Sequence, residues 1–232
     1  MKPTSYRAVV LASGGLDSTV TAAIAKQEGY ELFFLTIAYG QRHAVEVEQA
    51  RQVAVALGAA NHLVMDLDLR TIGGSALTGS AAVPKDRAAK DCSQTIPLTY
   101  VPGRNLIFLS IAAAQAEVVG ASSIYLGANV LDYSGYPDCR PEFLRAFESA
   151  VKEGTKAGTE GNLLSVKTPL LMLTKAEIIQ QGIDLHVPFH LTHSCYDPMG
   201  NQACGRCDSC IIRLEGFAKV GMVDPITYQP FR

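Results

Sequence analysis

The fold is decided by one stretch close to the N-terminus, Ser13-Gly14-Gly15-Leu16-Asp17-Ser18. The apolar run before it, residues 8–12, predicts a buried strand because short continuous apolar segments are typical of parallel sheets. The Ala-rich run after it, residues 19–26, has apolar side chains at helical spacing and ends shortly before Gly29. The stretch is therefore predicted to be the turn between a strand and a helix.

The chemistry of this turn favours an anion. Paired glycines permit positive φ angles and close backbone approach, and the start of a helix presents unbonded N–H groups at its positive dipole end. Ser13 and Ser18 add hydroxyl donors. We predict a phosphate site here. The alternative is a purely structural turn, since glycine and serine are common between the strands and helices of parallel sheets.

The hexapeptide is not a Walker A loop, which needs a Gly-Lys-Ser/Thr ending, and it is not a G-x-G-x-x-G motif. It resembles the SGGxDS pyrophosphate loop of the ATP pyrophosphatase (PP-loop) group of adenylating enzymes. That resemblance implies that ATP is cleaved between its α and β phosphates and that AMP is transferred to a substrate.

The composition limits the function classes. The chain has 232 residues, of which 48% are hydrophobic, and a net charge of −2. These values fit one large domain, or one domain with a small appendage, and disfavour nucleic-acid partners. No apolar run approaches the ~20 residues of a membrane span, and no signal-peptide core is evident. We predict a cytoplasmic protein without membrane partners, whose cysteines bind metal rather than form disulfides.

The rest of the chain predicts an α/β fold with a doubly wound, parallel, five-stranded sheet. The PP-loop resemblance implies that this fold is adenine nucleotide alpha-hydrolase-like and Rossmann-like. Further strands are predicted at 32–38, 62–69, 123–128 and 163–167. Further helices are predicted at 45–57, at 106–119 with Asn105 as N-cap, from Pro141 onward, and at 173–181 with a capping box of Thr174 and Glu177. Residues 1–185 are the predicted ATP pyrophosphatase domain, and 186–232 a small C-terminal zinc-binding segment of helix and loop.

Residues 71–90 interrupt this order of strands and helices. They are rich in Gly, Ser, Thr, Ala and charged residues and have no clear helical or strand period. Because loops of this length in a compact domain usually carry a function, we predict a lid or substrate loop.

Four cysteines near the C-terminus predict a metal site. Cys195 is followed by Cys204, Cys207 and Cys210, and the two-residue gaps suit a tetrahedral zinc ion held by four thiolates. Because the protein would fill all four positions, the zinc is predicted to be structural. An iron–sulfur cluster and reduced free thiols are the alternatives.

Two nearby histidines and the remaining two cysteines lie outside this set. His190 and His193 precede the cluster closely and are possible ligands, with a hydrogen-bonding or substrate-contacting role as the competing interpretation. Cys92 and Cys139 are interpreted as packing residues rather than nucleophiles.

Several motifs, taken together and in this order, resemble the 7-cyano-7-deazaguanine synthase family over nearly the whole chain. They are the 13–18 stretch, Tyr39-Gly40-Gln41-Arg42-His43, Val101-Pro102-Gly103-Arg104-Asn105, the run 132–143 and the cysteine-rich end. One departure is Leu16, where many members carry Gln. Backbone N–H groups and hydroxyls supply the phosphate contacts in such loops, so we expect ATP binding to be retained.

The resemblance implies an ATP-dependent ligase of queuosine biosynthesis that converts 7-carboxy-7-deazaguanine and ammonia into 7-cyano-7-deazaguanine. The acid passes through an acyl-adenylate and an amide to the nitrile, with release of AMP, or of an ADP-level nucleotide and phosphate. The resemblance also implies a homodimer and a zinc ion held by the four cysteines. ATP is expected at Ala12, Ser13, Gly14, Gly15, Leu16, Asp17, Ser18 and Thr19.

Roles for single side chains follow from this chemistry. Asp17 is expected to orient Mg²⁺ on the phosphates, with plain helix capping as the alternative. The predicted catalytic residues are Asp17, Ser18, Arg104 and Lys175. The predicted substrate residues are Tyr39, Gln41, Asn105, Tyr133, Tyr136, Asp138, Arg140 and Lys167. Among them, the cations are expected to bind the carboxylate, Tyr133 or Tyr136 to stack on the deazapurine, and Asp138 to accept its N–H groups.

Two other functions stay open at this point. Another adenylating pyrophosphatase, such as a tRNA-modifying thiolase, is expected to carry a catalytic cysteine pair and a basic face, and neither stands out in the sequence. A zinc module that binds nucleic acid is the third interpretation, but Arg206 and Arg213 are the only cations close to the cysteines.

Overall fold

The computed structural model describes residues 6–40, 45–79, 81–86, 96–131 and 136–230. The strands are β1 (Arg7–Leu11), β2 (Glu31–Ala38), β3 (Asn61–Asp66), β4 (Ser123–Tyr125) and β5 (Ser165–Lys167). They form one sheet in the order β3-β2-β1-β4-β5, and every neighbouring pair is parallel. The predicted five-stranded parallel sheet is confirmed.

Seven α-helices lie in the described residues. They are α1 (Leu16–Gln27), α2 (Val45–Leu57), α3 (Arg104–Val119), α4 (Pro141–Gly154), α5 (Lys156–Thr159), α6 (Lys175–Asp184) and α7 (Asp208–Lys219). None of these helices combines the length and the apolar composition that crossing a membrane requires.

Both faces of the sheet are covered, as a doubly wound fold requires. On one face, Ala8, Val10 and Phe34 belong to a core that includes α1, α6 and α7. On the other face, Val9 and Leu35 belong to a core that includes α3 and α4. Successive side chains of a strand point to opposite faces, so a strand buried on both faces is apolar throughout. This explains why these strands were recognisable as continuous apolar runs.

The strand order reverses at β1, which pairs with β2 on one side and with β4 on the other. At such a reversal the connections leave on opposite faces of the sheet, and a crevice opens at the carboxyl ends of the strands. The turn 12–15 follows β1 and the segment 126–129 follows β4. The topology therefore brings the glycine-rich turn and the segment after β4 to the same crevice.

Some element ends differ from the predicted ones. α1 begins at Leu16, three residues earlier than predicted. β3 ends at Asp66 rather than at residue 69. The reason is that the Asp68 carboxylate accepts the Arg70 N–H at 3.0 Å and thereby starts a 3₁₀ turn.

The prediction that Asn105 is the N-cap of α3 is wrong. The helix begins at Arg104, and its N-cap is Gly103 in a left-handed conformation with φ 64°. The Asn105 N–H donates to Asp138 Oδ2 at 2.9 Å. A carboxylate from a distant segment therefore satisfies one of the unbonded N–H groups at the start of this helix.

The last two helices connect the C-terminal segment to the sheet layers. α6 begins with the predicted capping box, in which Thr174 Oγ1 accepts the Glu177 N–H and Glu177 Oε2 accepts the Thr174 N–H. α7 packs on α6 so closely that a Cβ on Gly216 would lie 2.7 Å from Ile179 Cδ1. The division of the chain at residue 185 stays a prediction.

Replacing Gly182 of α6 by Ala is expected to destabilise the fold. An added Cβ would overlap the buried ring of Phe189 and lie 2.9 Å from Val20 Cγ2. Overpacking of this kind costs about 1–3 kcal/mol, which exceeds the gain of roughly 1 kcal/mol in helix propensity. Urea unfolding should show the lower free energy of unfolding.

The matched control is Gly154→Ala at the exposed end of α4, where nothing lies within 4 Å of an added Cβ. We expect this control to be neutral or slightly stabilising. A Gly182→Ala variant that unfolds at the same urea concentration as the wild type would contradict the tight packing described for α6.

Candidate functional site

The turn between β1 and α1 is closed by its own serines. Ser18 Oγ accepts the Ser13 N–H at 3.2 Å and donates to Gly15 O at 3.0 Å. The Gly15 N–H donates to Ser13 Oγ at 3.3 Å, and Gly15 is the N-cap of α1. Thr19 Oγ1 also donates to Gly15 O, at 2.8 Å. The hydroxyl groups of the motif therefore hold the loop in shape.

Gly14 is required by conformation and by space. Its φ is 77°, in the left-handed region that favours glycine. A Cβ at this position would overlap Glu46 O and lie 2.7 Å from Ala50 N. The loop therefore packs directly against the backbone of α2.

The first turn of α1 offers donors to an anion. The Leu16 N–H donates to Ser194 Oγ at 3.3 Å. The N–H groups of Asp17 and Ser18 have no acceptor within the residues that the structure describes. With the positive end of the helix dipole, these groups suit an anion such as a phosphate. Residues 12–18 are therefore called the phosphate loop.

The C-terminal segment and α6 hold this loop from outside. The His193 N–H donates to Gly14 O at 2.9 Å. Lys175 Nζ donates to both carboxylate oxygens of Asp17, at 2.6 and 2.8 Å, and only 11% of the Lys175 side chain is exposed. Asp17 lies inside the first turn of α1, so its alternative role as the N-cap is excluded.

A cavity of about 260 Å³ lies at the carboxyl ends of β1, β2 and β4. Eleven of the predicted catalytic, ATP-binding and substrate residues line it: Ala12, Ser13, Gly15, Leu16, Asp17, Ser18, Tyr39, Arg104, Asn105, Tyr136 and Lys175. Cys195 of the cysteine cluster lines it as well. The structure therefore brings the phosphate loop and part of the predicted substrate site into one cavity.

Arg104 faces this cavity among aromatic side chains. Its guanidinium carbon lies 5.9 Å from the centroid of the Tyr39 ring, a cation–π geometry. Although burial opposes a charge here, the phenol groups of Tyr39, Tyr136 and Tyr196 raise the pKa of Arg104 above its ordinary value. Burial also raises the pKa of Tyr39 itself, so that phenol stays neutral. The result is a fixed cation with aromatic walls, which suits a flat carboxylic acid.

Lys167 is not brought to this cavity. Its Nζ donates to Glu28 Oε2 at 2.7 Å and to Tyr125 OH at 2.9 Å. Glu28 follows the last residue of α1 and therefore lies away from the start of that helix, where the phosphate loop is. Lys167 ends β5, but its side chain is held on the α1 face of the sheet by these partners.

Arg140 and Asp138 do not line the cavity either. The Arg140 side chain is exposed, and its Nε donates to Pro137 O at 3.3 Å. Asp138 is buried, and it binds Asn105 through its carboxylate and its backbone carbonyl. The other two predicted substrate residues, Gln41 and Tyr133, lie outside the described residues.

Several cavity residues were not predicted from the sequence as site residues. They are Thr36, Glu46, Leu77, Phe108, Ser194, Tyr196, Ser209 and Arg213, together with the segment 126–129. Glu46 is the one acidic residue among them, and burial raises the pKa of its carboxyl group to about 7. The sequence gives only a weak indication that Glu46 is a site residue. That indication is its position on the first turn of α2, shortly after the 39–43 motif.

Cys139 lines the cavity but is not an activated nucleophile. Burial raises the pKa of its thiol to about 12, and Asn105 Nδ2 donates to the sulfur at 3.3 Å. A protonated thiol is a weak nucleophile, which supports its interpretation as a packing residue. Cys92 lies outside the described residues.

The four predicted metal ligands form one buried cluster. The sulfurs of Cys195, Cys204, Cys207 and Cys210 all lie within 4.8 Å of one another. The Cys204 and Cys210 sulfurs are 4.0 Å apart, near the roughly 3.8 Å expected for thiolates around a tetrahedral zinc ion. Backbone N–H groups point at the sulfurs, such as that of Cys204 toward Cys195 Sγ at 3.1 Å. The cluster can bind a metal ion, and neither His190 nor His193 belongs to it.

Residues 85–86 of the predicted substrate loop contact the segment that carries the cysteine cluster. The Asp86 N–H donates to Arg206 O at 2.8 Å, and the two side chains form an ion pair. Lys85 Nζ lies 2.6 Å from Asp197 Oδ2. Leu77, near the other end of the loop, lines the cavity. Residues 80 and 87–90 lie outside the described residues, and the lid stays a prediction.

A buried ion pair fixes the segment that touches the phosphate loop. Arg213 is 2% exposed, and its Nε and Nη2 donate to the Asp224 carboxylate at 2.6 and 2.9 Å. Its Nη1 donates to Thr192 Oγ1 at 2.8 Å and to Ser194 Oγ at 3.4 Å. Tyr228 OH donates to Asp224 at 2.6 Å. The hydroxyl that accepts the Leu16 N–H is therefore held by a buried guanidinium.

Comparison with known proteins agrees with this architecture. The chain matches the family model described as queuosine biosynthesis protein QueC over residues 7–221. A protein of Myxococcus xanthus (strain DK1622) named 7-cyano-7-deazaguanine synthase is 58% identical, over 96% of this chain and 97% of the relative. A protein of Syntrophus aciditrophicus (strain SB) with the same name is 56% identical, over 94% and 96%.

Among solved structures, a 4-thiouridine synthetase–RNA complex with bound ATP has a TM-score of 0.52 and 20% identity to this chain. The match covers 96% of this chain and 47% of that one. At this level of identity the likeness supports the fold alone.

Replacing Asp224 by Ala is expected to lower the free energy of unfolding by about 3–5 kcal/mol, because Arg213 would be left buried without its counter-charge. Thermal or urea unfolding measures the loss. The control is Glu142→Ala, which removes an exposed ion pair with Arg145 and is expected to cost at most about 1 kcal/mol. Equal losses in the two variants would contradict a structural role for the buried pair.

Proposed function

This chain belongs to the family of queuosine biosynthesis protein QueC, and we propose that it is a 7-cyano-7-deazaguanine synthase. In this proposal it is an ATP-dependent ligase that joins the nitrogen of ammonia to the carboxyl carbon of 7-carboxy-7-deazaguanine and forms the nitrile. Relatives that are 54–58% identical carry this name and match nearly end to end.

One observation carries the proposal: a single cavity joins a phosphate loop to a cation with aromatic walls. The N–H groups at the start of α1 suit a pyrophosphate leaving group. Arg104, among Tyr39, Tyr136 and Phe108, suits a planar heteroaromatic carboxylate. An enzyme that adenylates such an acid needs both binding sites side by side.

The first half of the reaction activates the acid. A carboxylate oxygen attacks the α-phosphorus of ATP, and the bond to the bridging oxygen breaks, so that pyrophosphate leaves and an acyl-adenylate forms. The N–H groups of Asp17 and Ser18 stabilise the charge that develops on the leaving group, and Lys175 adds a cation beside them. Arg104 holds the acid in line for attack.

The second half turns the carbonyl carbon into a nitrile. Ammonia attacks the acyl-adenylate, AMP leaves, and loss of a proton gives the amide. The amide oxygen then attacks the α-phosphorus of a second ATP, and pyrophosphate leaves again. Loss of AMP and of the remaining N–H protons completes the carbon–nitrogen triple bond. The same loop serves both adenylation steps because the leaving group is the same.

Mg²⁺ is proposed as the ion that accompanies ATP, and it would neutralise the phosphate charge. Asp17 is its proposed ligand, since this carboxylate lines the cavity beside the loop. Lys175 already donates to both oxygens of Asp17, so the carboxylate would be shared between the lysine and the ion. Carboxylate oxygens retain lone pairs for a second partner.

Zinc is proposed as the ion of the four-cysteine cluster. Four buried thiolates, with backbone N–H groups directed at the sulfurs, are the donor set of structural zinc sites. The ion would have no open position for water. Its proposed contribution is to hold residues 195–210 together, next to Ser194 and the phosphate loop.

Ammonia as the nitrogen donor, a homodimer and the cytoplasm as location belong to the same proposal. The described cysteines are all free of disulfides, which suits a reducing compartment. The proposed organisation is an ATP pyrophosphatase domain of residues 1–185 with a metal-binding segment of residues 186–232.

Incubation with 7-carboxy-7-deazaguanine, ammonium and Mg-ATP is expected to yield AMP and a product with the mass of the nitrile. Liquid chromatography with mass spectrometry measures both. Benzoic acid in place of the substrate is the control and is expected to give no AMP. AMP formation that depends on another acid, or no AMP formation at all, would overturn the proposed function.

Replacing Cys207 by Ser is expected to remove the bound metal and to lower the yield of soluble protein together, because three thiolates no longer complete the site. Elemental analysis of the wild type should show one zinc per chain. Cys139→Ser is the matched control, since this cysteine lies outside the cluster, and it should retain the zinc. A Cys207→Ser variant that is metal-free and equally stable would refute a structural role.

A further inference from the structure

The proposed reaction must dispose of protons, and the residues assigned so far do not accept them. Nitrogen enters as ammonia and leaves bonded only to carbon, so every N–H proton has to be removed. Lys175 and Arg104 are cations, and the Tyr39 phenol and the Cys139 thiol are held neutral by burial. The cavity must contain another group that accepts a proton. This question rests on the proposed function.

Glu46 lies between the phosphate loop and the part of the cavity around Arg104. Its backbone oxygen is so close to Gly14 that a Cβ on that glycine would overlap it, which places Glu46 against the phosphate loop. Glu46 lines the cavity, and its carboxyl group interacts electrostatically with Arg104 of α3 and with Tyr39 after β2. The Glu46 carboxyl group therefore lies near the place where, in the proposed function, the α-phosphate of ATP meets the substrate carboxylate.

The Glu46 carboxylate is available for this task. It forms no hydrogen bond and no ion pair with any residue in the part of the chain that the structure describes. Asp17, the other acidic residue that lines the cavity, has both oxygens occupied by Lys175. Among the described residues, Arg104 and Tyr39 are the charged and titratable groups that interact electrostatically with Glu46, and neither of them is a base.

The pKa of the Glu46 carboxyl group suits proton transfer. Burial raises the pKa of this carboxyl to about 7, while the positive charge of Arg104 opposes the rise. A general base works best when its pKa lies near the pH at which the enzyme operates. A carboxylate at the ordinary value near 4 would be a far weaker base.

We propose that Glu46 is the general base that removes protons from the incoming nitrogen. When ammonia attacks the acyl-adenylate, a carboxylate oxygen of Glu46 takes one N–H proton, the C–N bond forms and the C–O bond to AMP breaks. After the second adenylation two N–H protons remain, and Glu46 takes them one at a time: the first leaves a neutral adenylated imidate, and the second is removed as the C–O bond to AMP breaks and the nitrile forms. Each proton passes to solvent between the steps, so the carboxylate is regenerated.

The competing role for Glu46 is recognition of the guanine-like edge of the substrate, whose N–H groups a carboxylate can also accept. The two roles differ in which step they affect. A base acts after adenylation, whereas a recognition residue is needed for the acid to bind at all.

The experiment compares Glu46→Gln with the wild type in the two half-reactions. Acid-dependent exchange of pyrophosphate into ATP, measured without ammonia, reports adenylation, and we expect it to be unchanged. Conversion of the acyl-adenylate to amide, followed in a rapid-quench experiment, is expected to slow by about 10²–10⁴-fold, the usual contribution of a general base. With free ammonia held constant, the wild-type rate of this step should rise with pH through about 7, and the variant should lose that rise.

Glu48→Gln is the matched control, because Glu48 lies on the same helix, is exposed and does not line the cavity. It should behave as the wild type in both half-reactions. A Glu46→Gln variant that loses pyrophosphate exchange as strongly as amide formation, or one that forms amide at the wild-type rate, would overturn the assignment.

Failure of the proposed function gives a different result. If the wild type shows no exchange and no nitrile with this acid, the enzyme does not adenylate it, and the role of Glu46 falls together with the function. If the wild type forms the nitrile and Glu46→Gln does so equally fast, the function stands and only the base is assigned wrongly.

Discussion

The phosphate loop takes its final shape from a contact with a segment that is far away along the chain. The Leu16 N–H donates to Ser194 Oγ across 178 residues, and the neighbouring His193 N–H donates to Gly14 O. Backbone polar groups that leave water must find partners, and the loop finds two of them in this segment. Arg213, paired with Asp224, holds Ser194 in turn. A buried ion pair near the end of the chain therefore orients a loop near its beginning.

Lys175 and Arg104, two of the cations that line the cavity, have different charge environments. Lys175 is neutralised by Asp17, so its charge is balanced while no ligand is present. Arg104 is surrounded mainly by phenol groups, and within the described residues it forms no ion pair. A charge held in a site with little water attracts an opposite charge more strongly than it would at the surface. Arg104 is therefore the stronger candidate to bind a substrate carboxylate.

Much of the fold could be predicted because its signals are local. Continuous apolar runs indicate strands that are buried on both faces, and the 13–18 stretch indicates the first strand–turn–helix unit. The spacing of the cysteines indicates a metal site, and the positions of the four sulfurs in the structure support it. The failures have a tertiary cause. Asn105 has the chemistry of an N-cap, but Asp138 from another segment supplies the carboxylate. Glu46 and Ser194 carry no motif, and only packing brings them to the cavity.

The long separation between Leu16 and Ser194 also has a consequence for synthesis of the protein. The ribosome makes Leu16 of the phosphate loop 178 residues before it makes Ser194, which accepts the Leu16 N–H. Domains fold as they leave the ribosome, starting from the N-terminus, so β1 and α1 can form early while the loop still lacks its outer wall. Until the segment with His193 and Ser194 has been made, the nascent chain carries a phosphate loop without these two contacts. The loop can take its final shape only after that segment has packed on it.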